Sequence, residues 1–325
     1  MAGSVVITYT SAGSIYVTED ESSPSKSKKS VYWGQTGVTL AQFKVRTTYE
    51  GFYITRFNLV GAGADDKANV KNVYLSYLDK NGNALTTSGQ PISSATVPSV
   101  SFGFSGDSRP YIPADTSRVI TVKVDTNGTY QQGATSGVTV KLSFSGTNAD
   151  EFEAVGEGSQ STITGTNANI VDRTATNGAY VYRSFPKIVA VSMPNGPTSG
   201  NVVIGKFDII ATGYDVLFGT TAAASGSLIF DTLSSGSLAL AAGTLYEDAT
   251  NTILDTGALT AANNSSLSFN SWSSALSITA GAPKRIRVEA DLSSFNDPVN
   301  NTTGLGADYF QLILQDQSSV ITWVD

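Results

Sequence analysis

The chain has neither cysteine nor histidine in its 325 residues. Without them it has no disulfide staple, no zinc site of the usual kind, and no Cys or Ser nucleophile activated by an imidazole. A Cys-free protein also has no thiol to oxidise, which suits an extracellular setting. Long apolar runs are missing too: no stretch approaches the roughly 18 apolar residues that cross a membrane as a helix. The start, "MAGSVVITYTSAG", lacks the basic region and apolar core of a signal peptide. Basic residues are outnumbered, 20 against 27 acidic, for a net charge of -7. That balance opposes a nucleic-acid footprint, which needs a basic face. No glycine-rich stretch has the phosphate-loop pattern of Gly, four residues, then Gly-Lys-Ser or Thr.

What is present points to strands and turns. The 31 Gly and 10 Pro punctuate short runs rich in Val, Ile, Tyr and Phe, the reading of an all-β protein. Apolar and polar residues alternate in "AQFKVRT" (41–47) and "GFYITRFNLV" (51–60), as half-buried strands require. "NVYLSYLDKNGNAL" (72–85) carries strand character into an Asn-Gly turn, which predicts a hairpin. In "RVITVKVD" (118–125), Ile120, Val122 and Val124 form the core-facing set, and Ile286, Val288 and Ala290 do so in "RIRVEAD" (285–291).

These last two blocks belong to a longer recurrence. "YIPADTSRVITVKVD" (111–125) returns as "SITAGAPKRIRVEAD" (277–291), with Ile112 and Ile278 166 positions apart. "GVTLAQFKV" (37–45) returns as "NVVIGKFDI" (201–209), with Phe43 and Phe207 164 apart. "GSIYV" (13–17) finds an answer 165 positions on in "GAYVY" (178–182). A nearly constant offset through separate blocks marks a duplicated domain. Residues 1–158 and 178–325 are the expected domains, and the Gly, Ser, Thr and Asn-rich residues 159–177 the expected linker. Strand number and length predict two tandem immunoglobulin-like β-sandwiches.

The ordered blocks "GSIYVTEDESSP", "GVTLAQFKVRTTYEGFYITRFNLVG", "NVKNVYLSYLDKNGNAL" and "YIPADTSRVITVKVD" resemble the repeated β-sandwich modules of large secreted, surface-layer-like proteins of candidate-phyla bacteria. The second half, from "AYVYRSFPKIVAVSMP" to "DYFQLILQDQSSVITW", is similar to the module that often follows. The resemblance implies a cell-surface or fibre-forming part with no catalytic residues. Such proteins normally carry an export signal and an anchor, and "SSVITWVD" stops inside an expected strand, so a longer parent chain is expected.

Chemistry is sparse. Calcium is the candidate cofactor, with "GADD" (63–66) and "LYEDATN" (245–251) offering adjacent carboxylates: Asp65 and Asp66, Glu247 and Asp248. "DKNGN" (79–83) has the look of half a calcium loop but lacks the later bidentate Glu. Asp150, Glu151 and Glu153, or Glu247 and Asp248, could in principle flank a glycosidic bond, although adjacent loop carboxylates are ordinarily solvated surface. Trp33, Trp272 and Trp323 with Tyr49, Tyr53 and Tyr214 are either core or a sugar-stacking platform. Sequons occur at Asn127, Asn264 and Asn301. "GSVVITYTSAGSIYVTED" (3–20) is strand-rich, either the first strands of its own domain or an edge strand exchanged between subunits.

The expectation is therefore a non-enzymatic structural subunit of a surface layer or extracellular filament, with itself as main partner. It makes no nucleic-acid contact, and this segment makes no membrane insertion. The alternatives are an adhesin binding cell-wall or host glycans, and a virion tail or decoration subunit.

Overall fold

The computed structural model describes residues 13–27, 29–94, 96–128, 134–193, 200–219, 226–234, 242–258, 266–291, 310–315 and 321–324. Residues 3–12 of the expected N-terminal strand and the sequons at Asn264 and Asn301 lie outside them. The chain is all-β and divides into two compact units, Met1–Arg183 and Ser184–Asp325.

Unit 1 opens with β1 (Ser14–Glu19) and the short β2 (Lys29–Tyr32). Two long strands follow, β3 (Val38–Thr48) and β4 (Phe52–Gly61). The one-turn helix α1 (Ala64–Asn69) leads into β5 (Val70–Leu78) and β6 (Ala84–Thr86). Next come β7 (Ser99–Gly103), β8 (Tyr111–Ile112) and the long β9 (Ser117–Thr126). β10 (Val138–Val140), β11 (Leu142–Ser145), β12 (Phe152–Gly156), β13 (Thr162–Thr164) and β14 (Ala179–Tyr182) complete it.

One sheet has the order β1-β3-β9-β5-β6, whose first four strands match the A-B-E-D order of an immunoglobulin sheet. In the facing sheet β4 is central. β11 and then β12 run along one of its edges, interrupted by the loop 146–151, and β7 and β8 share the other. β13 adds to β12. The two sheets bury one core, in which Phe43 lies 6.2 Å from both Phe57 and Phe144, and Phe57 lies 4.7 Å from Phe144. Each of these fully buried rings contributes about 1.5–3 kcal/mol by leaving water. The alternation predicted for β9 is realised: Ile120, Val122 and Val124 are buried. The Asn-Gly hairpin also forms, with Gly82 at φ 83° and the Asp79 carboxylate accepting from the Asn83 backbone and side-chain amides.

Unit 2 contains β15 (Phe185–Ala190), β16 (Asn201–Thr212), β17 (Val216–Phe218) and β18 (Leu228–Ser234). It continues with β19 (Ala242–Glu247), β20 (Thr252–Ala258), β21 (Ser266–Phe269), β22 (Leu276–Ile278), β23 (Lys284–Asp291) and β24 (Phe310–Leu314). Its larger sheet, β15-β16-β23-β19-β20, repeats the strand order of unit 1. The repetition extends to register. Phe43 pairs with Ile120 and Phe207 with Ile286; Phe52 pairs with Ile112 and Val216 with Ile278. A β-bulge places one extra residue, Leu40 in β3 and Ile204 in β16, at matching positions. Two sequences that share a bulge as well as a strand order are two copies of one plan.

The copies meet at a different place from the expected one. Residues 159–177, expected as a linker, lie within unit 1, where β13 pairs with β12 and Arg173 bridges to Phe144. β14, expected to answer residues 13–17, also belongs to unit 1. It pairs with β2 and β10, and Ala179 and Val181 enter the first core. By register the counterpart of β1 is β15: Val17 faces Val45 of β3 as Ile188 faces Ile209 of β16.

The turn pairs at one end of each sandwich differ instructively. Tyr49 and Asp115 have φ 70° and 54°, and their counterparts Gly213 and Gly281 have φ 97° and 77°. Glycine takes this left-handed geometry freely, whereas a side chain adds roughly 1–2 kcal/mol. Tyr49→Gly should therefore keep or raise the melting temperature of unit 1, and Tyr49→Val should lower it by about 1 kcal/mol, a shift of a few degrees. Thermal unfolding followed by circular dichroism reads the order, and a larger loss with Gly than with Val would contradict it.

Candidate functional site

A sandwich of two sheets has sides where the edge strand of one sheet faces that of the other, with the core accessible between them. In unit 1 that side lies between β1 and β11, and residues 170–177 close it. Ile170 is buried in the core, and Arg173 exchanges backbone hydrogen bonds with Phe144 of β11, both at 3.0 Å. The Arg173 Nε donates to the Val17 carbonyl of β1 at 2.7 Å. The Ala175 N–H donates to the Ser143 hydroxyl, and the Thr176 backbone and hydroxyl donate to the Glu19 carboxylate. One short segment thus clasps both sheets. The Asp172 carboxylate also accepts from the Gly146 and Thr147 N–H groups, tying down the loop between β11 and β12.

Two further carboxylates tie distant segments of the same unit together. Asp66, at the third position of α1, accepts from the Ala62, Gly63 and Lys141 N–H groups at 2.6, 2.8 and 2.6 Å. It reaches back to the helix start as in a capping box, and it also pins the chain between β10 and β11. Gly61 permits this approach, since a Cβ there would stand 2.8 Å from the Asp66 Oδ2. Burial pushes the Asp66 carboxyl above its ordinary value, against the pull of its three N–H donors. Glu50 accepts from the Gly13, Gly158 and Ser159 N–H groups and the Ser159 hydroxyl, joining the start of β1 to the turn after β12. Burial pulls its carboxyl up, but the donors of Ser159, Gly13 and Gly158 outweigh that and hold it below the ordinary 4.5.

An aromatic and charged cluster stands near this end of unit 1. Tyr53 and Tyr111 are register partners on β4 and β8, with rings 4.9 Å apart. The Arg109 guanidinium sits 4.4 Å over Tyr53, and Lys80, 5.8 Å from the same ring, pairs with Glu157 at 2.6 Å. The Tyr111 hydroxyl donates to Glu157, and burial together with that carboxylate pushes its pKa up to about 12. Arg118 donates to the Asp79 and Tyr111 carbonyls at 2.6 and 2.8 Å, so it anchors a turn instead of standing free on the sheet. These residues come from five separate stretches of sequence. Only the Tyr53–Tyr111 pairing could be anticipated, from strand register.

The carboxylates proposed for calcium are placed as follows. Asp65 is exposed in the first turn of α1, beside the buried Asp66. Glu247 pairs with Lys284 at 2.7 Å and accepts from the Thr250 hydroxyl. Asp248 meets Lys206 at 3.1 Å and Arg287 at 3.4 Å. With Asp208–Arg285 and Arg287–Glu289, these pairs run across the outer face of β16, β23 and β19. Among the described residues no three acidic side chains gather as a metal cluster. Glu151 caps the Asn148 turn, Glu153 accepts from the Thr55 hydroxyl, and Asp150 is exposed. Trp33 is buried, and the Trp272 and Trp323 indoles donate to the Gly226 and Ser184 carbonyls. Tyr49 and Tyr214 are exposed.

The corresponding side of unit 2 lies between β15 and β24. A cleft of about 510 Å³ is lined there by Ile188 of β15, Phe207 of β16, Leu312, Ile313 and Leu314 of β24, and Ile321. No described segment of unit 2 bridges the two strands as residues 170–177 bridge β1 and β11.

No family model matches the chain, and no curated protein matches it. Among solved structures it is distantly similar to domains of bacterial surface proteins. A biofilm-associated protein B domain shares 9% identity over 86% of this chain and 72% of that one, with TM-score 0.22. The partial N-terminal region of an enterococcal surface protein shares 8% over 86% and 83%, with TM-score 0.22. The tandem N-terminal CBM22 domains of a Paenibacillus barcinonensis protein share 9% over 98% and 99%, with TM-score 0.17. Among the described residues no helix is long and apolar enough to cross a membrane.

Asp66→Asn leaves a buried N–H without its acceptor, and should destabilise unit 1 by about 1–3 kcal/mol in urea unfolding. A loss near zero would mean that the clip is not needed. Glu50 titrates lower folded than unfolded, so its contribution is complete above its ordinary value of 4.5 and is lost as pH falls through the folded value. Glu50→Gln should accordingly flatten the fall in stability below about pH 4.5, measured by urea titrations at stepped pH. An unchanged slope would rule Glu50 out as a contributor.

Proposed function

We propose that the protein is a non-enzymatic structural component of a bacterial cell surface or extracellular filament, in which repeated sandwiches are stacked or joined through their edges. The observation that carries this reading is the duplicated sandwich whose polar side chains serve its own strands. Asp66, Glu50, Glu19 and Asp172 each hold backbone N–H groups or hydroxyls of distant segments. Glu247 and Asp248 are held by cations of neighbouring strands. A catalytic carboxylate pair would need to face a cleft, whereas Glu247 and Asp248 face Lys284 and Lys206. Strand edges that are unpaired among the described residues, such as the outer edge of β24, supply surfaces on which a polymer of such units can be built.

Negative-stain microscopy of the concentrated chain, with and without calcium, tests the proposal. Fibres or sheets of regular repeat are the expected outcome. A protein that stays monomeric under all conditions, or one that binds a glycan array and loses that binding on Tyr49→Ala, would move the function to another class, in the second case that of an adhesin.

A further inference from the structure

Asparagine stands before glycine at 81–82, 127–128, 177–178 and 195–196, the last of which lies outside the described residues. Such a step can react with itself. The glycine nitrogen, with no Cβ beside it, attacks the carboxamide carbon of the asparagine, gives its proton to solvent, and expels the side-chain nitrogen as ammonia. The five-membered succinimide so formed is opened by water at either carbonyl, to aspartate or to isoaspartate. The net change is an amide and water going to a carboxylic acid and ammonia, with nothing oxidised or reduced. Folding decides which steps can follow this course, because the ring closes only where the carboxamide is free to turn and the glycine has room to move.

Asn81 meets both conditions. It is exposed at the tip of the β5–β6 hairpin, and its side chain makes no hydrogen bond among the described residues. A Cβ on Gly82 would find nothing within 4 Å. The Gly82 N–H donates to the Asp79 carbonyl at 3.2 Å, the long end of the hydrogen-bond range, and is the one group the reaction must release. Two residues on, Asn83 shows the contrary case, its backbone and side-chain amides both held by the Asp79 carboxylate.

The other two described steps are locked. Asn127 is buried, with its Nδ2 donating to the Ala68 carbonyl at 2.5 Å and its N–H to the Asn69 carbonyl at 2.9 Å. Asn177 donates from Nδ2 to the Lys26 carbonyl at 3.0 Å and from its N–H to the Ser25 carbonyl at 2.7 Å. Its neighbour Gly178 is packed so closely that a Cβ would stand 2.4 Å from the Val140 carbonyl oxygen.

We propose that Asn81 is a self-modification site of the folded protein, losing its side-chain nitrogen through attack by the Gly82 nitrogen, whereas Asn127 and Asn177 keep theirs for as long as unit 1 stays folded. The product adds one negative charge to a chain of net charge -7. Its isoaspartate form also adds a backbone carbon to the turn. β6 is paired to β5 at three positions, Ser76–Thr86, Tyr77–Leu85 and Leu78–Ala84, and the turn that sets this register is the part that lengthens. The inference goes beyond the structural reading above and does not depend on it.

The test is a time course of the folded chain in mildly alkaline buffer, beside a sample kept unfolded in urea, both read by digestion and fragment-resolved mass spectrometry. In the folded sample Asn81 should turn into a mixture of aspartate and isoaspartate, while Asn127 and Asn177 react about tenfold more slowly or less, since they wait on local opening. In urea the three should react at similar rates. Gly82→Ala, checked for folding by circular dichroism, puts a Cβ on the attacking residue and should slow the change at Asn81 several-fold.

An Asn81 amide that persists in the folded chain while the urea sample loses it would show that the hairpin protects it, and overturn the inference. Reaction of Asn127 or Asn177 as fast as Asn81 in the folded chain would do the same. Aspartate without isoaspartate at position 81, or a rate untouched by Gly82→Ala, would mean direct hydrolysis and remove the ring closure on which the inference stands.

Discussion

The side of the sandwich between its two sheets is the constraint to which much of this molecule answers. Facing sheets bury their inner side chains well, but where the first strand of one meets the edge strand of the other, apolar side chains and backbone groups are left beside water. In unit 1 the remedy is a clasp: Ile170 supplies the apolar plug, Arg173 the backbone pairing to Phe144, and Thr176 the tie to Glu19. The carboxylates around it act in the same service. Asp66 fixes the chain as it enters β11, and Asp172 fixes it as it leaves. Each exchanges a hydrated charge for several N–H donors, the arrangement in which a buried carboxylate is tolerated.

That a carboxylate can be structural in this way bears on how the acidic pairs should be understood. Adjacent acids at 65–66 and 247–248 have the look of cation ligands in a sequence. In the fold Asp66 turns inward onto three backbone amides, and Glu247 and Asp248 turn to cations on neighbouring strands. Strand pairing places Lys206, Lys284 and Arg287 around those two acids from residues that lie 36 or more positions away along the chain. Exposed pairs of this sort contribute little individually, about 0–1 kcal/mol. On one sheet face, however, they favour a particular register, because a shift by one residue would send them to the opposite face.

The parts of the fold that could be read from the sequence are those governed by period-two alternation. The inward sets of β9 and β23, the long β3 and β4, the Asn-Gly hairpin and the spacing between the copies all follow from side chains that must alternate between core and water. Residues 159–183 could not be read, because their role depends on backbone hydrogen bonds that composition does not register. A stretch rich in Gly, Ser, Thr and Asn has the same look whether it links two domains or clasps one. Gly178–Tyr182 shows the limit most plainly. Its likeness to residues 13–17 is a likeness of strand pattern, yet its apolar residues enter the first core. Tyr111 and Glu157 were equally hidden, since only the fold brings β8 to the turn after β12.

Comparison of the copies separates what the plan requires from what it leaves free. The bulge at Leu40 and Ile204 is kept, because it sets the twist at which the longest strand of each larger sheet meets its neighbour. The tie across the turns is kept in purpose and reversed in direction: Asp115 accepts from the Tyr49 N–H in unit 1, and Asp215 accepts from the Ala280 N–H in unit 2. The junction needs one carboxylate and one amide, and either turn can supply either. At the sandwich side the copies part in kind. Glu19 and Ser143 receive the clasp in one copy, and Ala190 and Ile313 stand at the matching positions of the other, so the polar anchors belong to the first copy and not to the shared plan.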